Sequence, residues 1–148
     1  MEVDDGVATL KAAQPEAIVM VGAYKACAAF VKKAKAQGIQ AKFLNVSFVG
    51  TMDFIKEAGP DGDGVYITQV VPAPDDDSVP IVKKYQGDMK AAGKNEFDYT
   101  SLEGYIGAAV ISEGLKSAGS NLTRESFIGA MNTLTTDIGG LKITFSPS

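Results

Sequence analysis

Residues Ala17-Ile18-Val19-Met20-Val21 form an unbroken apolar run of strand length. No polar residue alternates within it, so the pattern leaves neither face of the strand to water. Such a run fits a parallel strand covered on both faces. Gly22-Ala23 turns the chain out of it. From Tyr24 to Gln37, the residues Cys27, Phe30, Val31 and Ala34 recur at i, i+3, i+4 and i+7, one face of a helix. Lys32, Lys33 and Lys35 lie off that face and favour the C-terminal half of the helix through its dipole. Gly38 can end the helix, with Ile39 making an apolar contact beyond it. Lys42 to Val46 reads as the next strand. Strand, helix and strand at this spacing predict a βαβ unit and an α/β fold with a parallel sheet.

A short helix from Asp4 to Ala13 precedes this unit, with Asp4 or Asp5 to cap it and Gln14-Pro15 to end it. After the second strand, Ser47 to Thr51 reads as a loop and Met52 to Ala58 as a short helix. Gly59 to Gly64 is a turn cluster, and Val65 to Val71 a further strand. Pro72-Ala73-Pro74-Asp75-Asp76-Asp77-Ser78 is rich in proline and charge and reads as a linker. Beyond it the texture is helical. One helix, capped by Asp77 or Ser78, runs to Ala92. A longer one opens on a Thr100/Glu103 capping box and ends at Ala118. Its expected inner face is Tyr105, Ala108, Ala109, Ile111, Ser112 and Leu115. Its small residues Gly104, Gly107, Ala108 and Ala109 would let a neighbour lie close. A third helix, capped by Thr123, runs to Leu134. Gly139-Gly140 then leads into an alternating strand, Leu141 to Phe145. The expected organisation is therefore residues 1–71, a linker at 72–78, and residues 79–148. The helix near the start and the end at Ser146-Pro147-Ser148 read as cuts through a larger fold.

Composition removes several kinds of chemistry. The chain of 148 residues has no histidine and a single cysteine. It therefore has no Ser-His-Asp triad, no Cys-His dyad, no His-bearing metal site and no intrachain disulfide. Its net charge is −4 with no basic stripe, which argues against nucleic acid or an anionic membrane as partner. No apolar run approaches the ~20 residues that cross a bilayer, and the acidic start Met1-Glu2-Val3-Asp4-Asp5 is not a signal peptide.

No sequence motif compels a catalytic reading. Gly59, Gly62 and Gly64 precede a strand rather than a helix, the wrong context for a phosphate cradle. Asp61 and Asp63 resemble the start of a calcium loop but lack its sixth-position glycine and later glutamate, so they read as a turn. Asp75-Asp76-Asp77 reads as a solvated run that caps the next helix. Cys27 lies on an apolar helix face and reads as a buried thiol. No metal or other cofactor is expected. The loops at strand carboxyl ends are more informative, because ligands bind there in open α/β sheets. Gly22, Ala23 and Tyr24 form one such loop, and Ser47 and Phe48 begin the other. Tyr24 offers an aromatic face and a hydroxyl, Ser47 a donor and acceptor, and Gly22 close backbone approach.

At these residues the chain resembles a known family. Val21 to Ile39 (VGAYKACAAFVKKAKAQGI) resembles the strand-turn-helix in the second lobe of type I periplasmic binding proteins. More narrowly, it is similar to the leucine/isoleucine/valine-binding branch of ABC transporter substrate-binding proteins. Asn45 to Gly50 (NVSFVG) resembles the following strand and cleft loop, and Gly64 to Pro72 (GVYITQVVP) the strand running into the interlobe hinge. Ser101 to Tyr105 (SLEGY) resembles the helix start after the return to the first lobe, and Gly139 to Pro147 (GGLKITFSP) a late strand. The five segments fall in the family's order across nearly the whole chain.

The resemblance implies a fragment of a two-lobe fold, the later part of a longer extracytoplasmic or periplasmic protein. That protein would bind a small solute, amino acid-like, by hinge closure, and deliver it to the membrane permease of an ABC transporter. It implies solute contacts at Gly22, Ala23, Tyr24, Ser47 and Phe48, with Ser101 and Leu102 at the first-lobe edge of the cleft and the hinge at Val71 and Pro72. Ser47 lies where some amino-acid binders place an acid for the solute's ammonium, a charge serine does not supply. Glu103 is expected to serve its cap. Two rivals stand beside this reading. One is a sensor domain of the same fold in a regulator or receptor. The other is a small α/β enzyme using carboxylates such as Asp53, Glu57 and Glu103. Open strand edges in a cut fold also make pairing with a second copy an expectation.

Overall fold

The computed structural model describes residues 2–147, so the calls on Met1 and Ser148 lie outside the described residues. The chain divides into two compact units, Met1–Val70 and Val71–Ser148.

The first unit contains α1 (Asp4–Ala13), β1 (Ala17–Met20), α2 (Tyr24–Ala36), β2 (Lys42–Asn45), α3 (Thr51–Ala58) and β3 (Tyr66–Ile67). One-turn 3-10 helices occupy Ser47–Val49 and Gly59–Gly62. The sheet order is β1-β2-β3, all parallel, as the repeated strand-helix pattern requires. Ile18 pairs with Phe43, Val19 with Leu44 and Met20 with Asn45; on the other side of β2, Leu44 pairs with Tyr66 and Asn45 with Ile67. Ile18 and Phe43 share one core with Val7 of α1, with Cys27, Ala28, Val31 and Ala34 of α2, and with Phe54 and Ala58 of α3. The helical period read from Cys27, Val31 and Ala34 is thus the buried face, and Cys27 is buried as expected.

Local expectations needed correction at three points in this unit, while the end of α1 at Gln14-Pro15 is as expected. Val3, not Asp4 or Asp5, is the N-cap of α1, and no side chain caps it; both acids sit in the first turn, where the dipole favours them. Gln14 takes a left-handed conformation at φ 49°, consistent with the bar that Pro15 places on a helical residue before it. β3 is two residues rather than seven, because Thr68 N–H makes the last bond to β2, at Asn45 O, before the chain leaves the sheet. Coverage of both faces is not met within this unit. Val19 is 72% exposed and Tyr66 61%, because the buried residues of all three helices gather with Ile18 and Phe43 on the opposite face.

The second unit contains α4 (Pro80–Ala91), α5 (Tyr99–Ala118), α6 (Arg124–Met131), β4 (Thr135–Asp137) and β5 (Lys142–Thr144). Its core gathers Ile81, Val82 and Tyr85 of α4 with Leu102 of α5. Thr123 caps α6, as read from the sequence, through a reciprocal box with Ser126, but the helix ends at Met131 rather than Leu134. Residues 135–137 were not foreseen as a strand. They pair antiparallel with β5, and the turn is held by Asp137 Oδ1, which accepts from Gly139 N–H at 2.9 Å and Gly140 N–H at 2.6 Å.

The other helix starts also differ from expectation. Asp98, not Thr100, caps α5, accepting from Ser101 N–H at 2.8 Å; this starts the helix at Tyr99 and leaves Glu103 exposed beyond its first turn. Neither Asp77 nor Ser78 caps α4. Ser78 N–H and Oγ–H are held by Asp76 Oδ1, and α4 begins at Pro80 with no side-chain cap. Gly139 O accepts from Ile81 N–H at 3.0 Å instead, so the hairpin turn satisfies an orphan donor of α4. The inner face of α5 is also shifted. Leu102 and Gly114 are buried, whereas Ile111 and Leu115 are 52% and 41% exposed. Close approach occurs at Gly114, where a Cβ would fall 2.3 Å from Met131 Sδ; Gly104 and Gly107 face open space. α6 lies against the Gly114 side of α5, and that rotates the apolar stripe away from the one expected.

Candidate functional site

The candidate residues of the first unit converge on the carboxyl end of its sheet. β1 ends at Met20 and the chain turns through Gly22 and Ala23 into α2. A Cβ at Gly22 would lie 3.2 Å from Cys27 Sγ, tight against the first turn of the helix. Ala23 is the exposed N-cap of α2, with no side-chain cap and no acid in the first turn. Tyr24 is half-buried against the core, and Lys25 Nζ lies 5.8 Å from its ring centroid. The N–H groups opening α2 thus point to the same end of the sheet without an acidic side chain among them.

The second loop begins one residue past β2. Ser47 is half-buried and starts the turn Ser47–Val49; Val49 anchors it, buried, while Phe48 is 72% exposed. Gly50 N–H bonds Ser47 O and Val49 N–H bonds Val46 O, so the turn is closed on itself. Gly50 is the left-handed N-cap of α3. Gly22, Ala23 and Tyr24 follow β1, and Ser47 and Phe48 follow β2. β1 and β2 are adjacent, so these residues are neighbours at one sheet end. Their chemistry is hydroxyl, aromatic and backbone N–H, suited to holding a small polar molecule rather than to breaking a bond in it.

Two further residues at this end were missed. Asn45 is the last residue of β2 and only 1% exposed; its Oδ1 accepts from Val46 N–H at 3.1 Å. Gln69 donates from Nε2 to Thr51 Oγ1 at 2.7 Å, tying the segment that follows β3 to the start of α3. A polar residue directly after the apolar pair Phe43-Leu44 was the available signal for Asn45.

In the second unit, Ser101 Oγ and Tyr85 OH are 2.6 Å apart, and Tyr85 OH accepts from Asp98 N–H. Leu102 is fully buried in the core. Val71 packs on that core and Pro72 is half-buried. Lys84, Asp88 and Tyr105 form a separate cluster bordering a groove of about 470 Å3. Lys84 Nζ lies 2.8 Å from Asp88 Oδ2 and 2.7 Å from Tyr105 OH, which itself donates to Asp88 Oδ2 at 2.5 Å. The hydrogen bonds to Asp88 and Tyr105 push the Lys84 pKa upward, and the bond from Lys84 lowers that of Asp88. Burial, then the bond to Asp88, raises that of Tyr105.

Among the described residues, no group of three or more acidic or cysteine side chains could hold a metal ion. Asp53 and Glu57 stand exposed on α3, and Glu103 belongs to the other unit. Among the described residues, no helix is long and apolar enough to cross a membrane.

A protein family described as periplasmic binding protein matches residues 2–148. Among solved structures, the chain is similar to a possible leucine/isoleucine/valine-binding protein from Rhodopirellula baltica SH 1, with 32% identity and a TM-score of 0.90, over 98% of this chain and 40% of that one. It is also similar to a substrate-binding periplasmic protein from Ralstonia solanacearum, with 27% identity and a TM-score of 0.80, over 94% of this chain and 40% of the other. A fatty acid ABC transporter substrate-binding protein from Thermomonospora curvata matches with 26% identity and a TM-score of 0.81, over 97% and 39%. The chain spans about 40% of the length of these structures. No curated protein matches it.

Proposed function

Because this chain belongs to the periplasmic binding protein family, we propose that it is the later part of an ABC transporter's solute-binding protein. Its location is periplasmic or otherwise extracytoplasmic, as is typical of the family. The observation that carries the reading is the fit to the Rhodopirellula protein, at a TM-score of 0.90 and 32% identity over 98% of the chain. The whole protein would bind a small polar solute without making or breaking a bond and hand it to a membrane permease. Residues 1–71 and 79–148 would belong to different lobes, joined through 72–78, with closure bending the chain near Val71 and Pro72.

In this reading Gly22, Ala23, Tyr24, Ser47 and Phe48 form the second-lobe side of the solute site. Ser101 and Leu102 stand at the first-lobe edge, Leu102 through its main chain because its side chain is buried. The solute belongs to the branched-chain amino acids or to related small carboxylates. Similarity to the possible leucine/isoleucine/valine-binding protein from Rhodopirellula and to the fatty acid substrate-binding protein from Thermomonospora supports that range.

The test is calorimetric titration of the full-length protein with branched-chain amino acids and small carboxylates, alongside X-ray scattering. Saturable binding with a fall in radius of gyration is expected. Binding by none of these compounds, or binding with unchanged scattering, would refute the solute class or the closure, respectively. The 148-residue chain alone exposes Val19, Val21 and Tyr66. It is therefore expected to pair with a second copy; a monomer throughout a sedimentation-equilibrium concentration series would exclude this.

A further inference from the structure

Among the described residues, one polar side chain is buried, that of Asn45. Its Oδ1 is occupied by Val46 N–H and its main-chain O by Thr68 N–H, but its Nδ2 is buried with no hydrogen-bond partner among the described residues. Gln69 carries the complementary orphan. Its Nε2 donates to Thr51 Oγ1, while its Oε1 is buried and unpartnered. The pairing register brings the two together. Asn45 pairs with Ile67 across β2 and β3, and Gln69 follows Ile67 by two residues, as Asn45 follows Phe43. Asn45 lies by alternation on the face of β2 that Phe43 shares with the helices. Its main-chain O accepts from Thr68 N–H, the residue before Gln69, so the orphaned donor and acceptor belong to neighbouring segments at the carboxyl end of the sheet and do not bond each other. Leaving both unpaired is costly, and buried orphans of this kind are the usual anchors of internal water.

We propose that Asn45 and Gln69 hold one internal water, which accepts from Asn45 Nδ2 and donates to Gln69 Oε1, and that both are positioning residues for the Ser47–Gly50 turn. If the Gln69 amide is turned over, the free group becomes a second NH2, and one water accepts from both. The resulting chain runs from Asn45 through the water and Gln69 to Thr51. It fastens both ends of the turn carrying Ser47 and Phe48 to the segment that leads toward Val71. The consequence for solute binding rests on the reading above; the water site does not.

The experiment is NMR on the chain as given, with the full-length protein as a second sample. Expected are water-to-protein cross-peaks at the Asn45 side-chain NH2, with slow exchange of those protons. Asn45→Leu and Gln69→Leu should each raise the unfolding equilibrium constant by about ten- to a hundredfold. The double variant should lose clearly less than the product of the two, because each single change strands the other's polar group. Gln69→Leu should also speed hydrogen exchange at Val49 and Gly50 N–H about tenfold or more while leaving Val31 and Ala34 unchanged. Gln69→Glu, which keeps an oxygen for the water and an acceptor for the Thr51 hydroxyl, should restore protection. Absent water cross-peaks, multiplicative single effects, or exchange that rises equally in α2 would overturn the inference. Solute titration of the full-length protein is read separately, so failure of the water site and failure of the binding function are distinguishable.

Discussion

Replacing Gly139 by alanine tests how the second unit is held together. Gly139 has φ +93°, which L side chains rarely adopt, and its carbonyl accepts from Ile81 N–H. A Cβ there would fall 2.9 Å from Ile81 N and 3.1 Å from Ile81 Cα, both backbone atoms of α4 that no rotamer change relieves. Its neighbour Gly140 is the internal control. Its φ is +90°, but a Cβ would meet only Pro80 Cδ, at 3.4 Å. Gly140→Ala therefore carries the backbone strain alone, about 1–2 kcal/mol. Gly139→Ala carries the same strain plus overpacking of about 1–3 kcal/mol and a weakened hydrogen bond of about 1 kcal/mol. The expected loss is about 3–6 kcal/mol, so the two variants should differ by about 2–4 kcal/mol. Urea unfolding followed by far-UV circular dichroism reads this as the displacement of the midpoint multiplied by the slope. Equal losses for the two variants would show that the turn and α4 are not in the contact described, and a Gly139→Ala variant as stable as the parent would refute the argument outright.

Three further outcomes follow from named contacts. Tyr85→Phe should cost about 1–3 kcal/mol in the same assay, because it strips a partner from Ser101 Oγ and Asp98 N–H inside a packed core; no change would mean water replaces the hydroxyl. Asp88 has a pKa below its ordinary 3.8 in the folded chain, so its contribution is present above that value and lost as pH falls through the lowered one. Asp88→Asn should thus narrow its stability gap to the parent in strong acid, and salt should narrow it at neutral pH, because the pair is exposed; a gap independent of both would exclude the charge interaction. Cys27, buried on α2, should react with a thiol reagent only as fast as the first unit opens, and rapid stoichiometric labelling of native protein would contradict that packing.

Much of the first unit was legible because its signals are local. The apolar run at 17–21, the helical period through Cys27, Val31 and Ala34, and the glycine after it each constrain neighbours within a few residues. The loops carrying Tyr24 and Ser47 could be named in advance for the same reason, since a parallel strand followed by a helix always places its turn at the strand's carboxyl end. The family resemblance rested on these same segments. The Thr123 cap was readable too, because a threonine just before a helical stretch signals its start locally; its box with Ser126 came from the structure.

Where several local answers competed, sequence alone did not decide. Thr100, Asp98, Asp77 and Ser78 are all acceptable caps; what decided was which backbone N–H the packed helix presented and whether a partner such as Gly139 O already filled the place. The exposed Ile111 and Leu115 satisfy the helical period as well as buried residues do, and only the approach of Met131 and Phe127 to Gly114 set the rotation of α5. The meeting of Asn45 with Gln69 has no local signature, because 23 residues separate them and only the β2–β3 register makes them neighbours. The sequence by itself determined the type of most elements and the end of the sheet at which the strand-to-helix turns lie, since those follow from short-range periodicity and chain direction. The tertiary structure alone decided which face is covered, which cap is used and which polar groups are stranded together, since those depend on long-range contacts that no window of neighbouring residues contains.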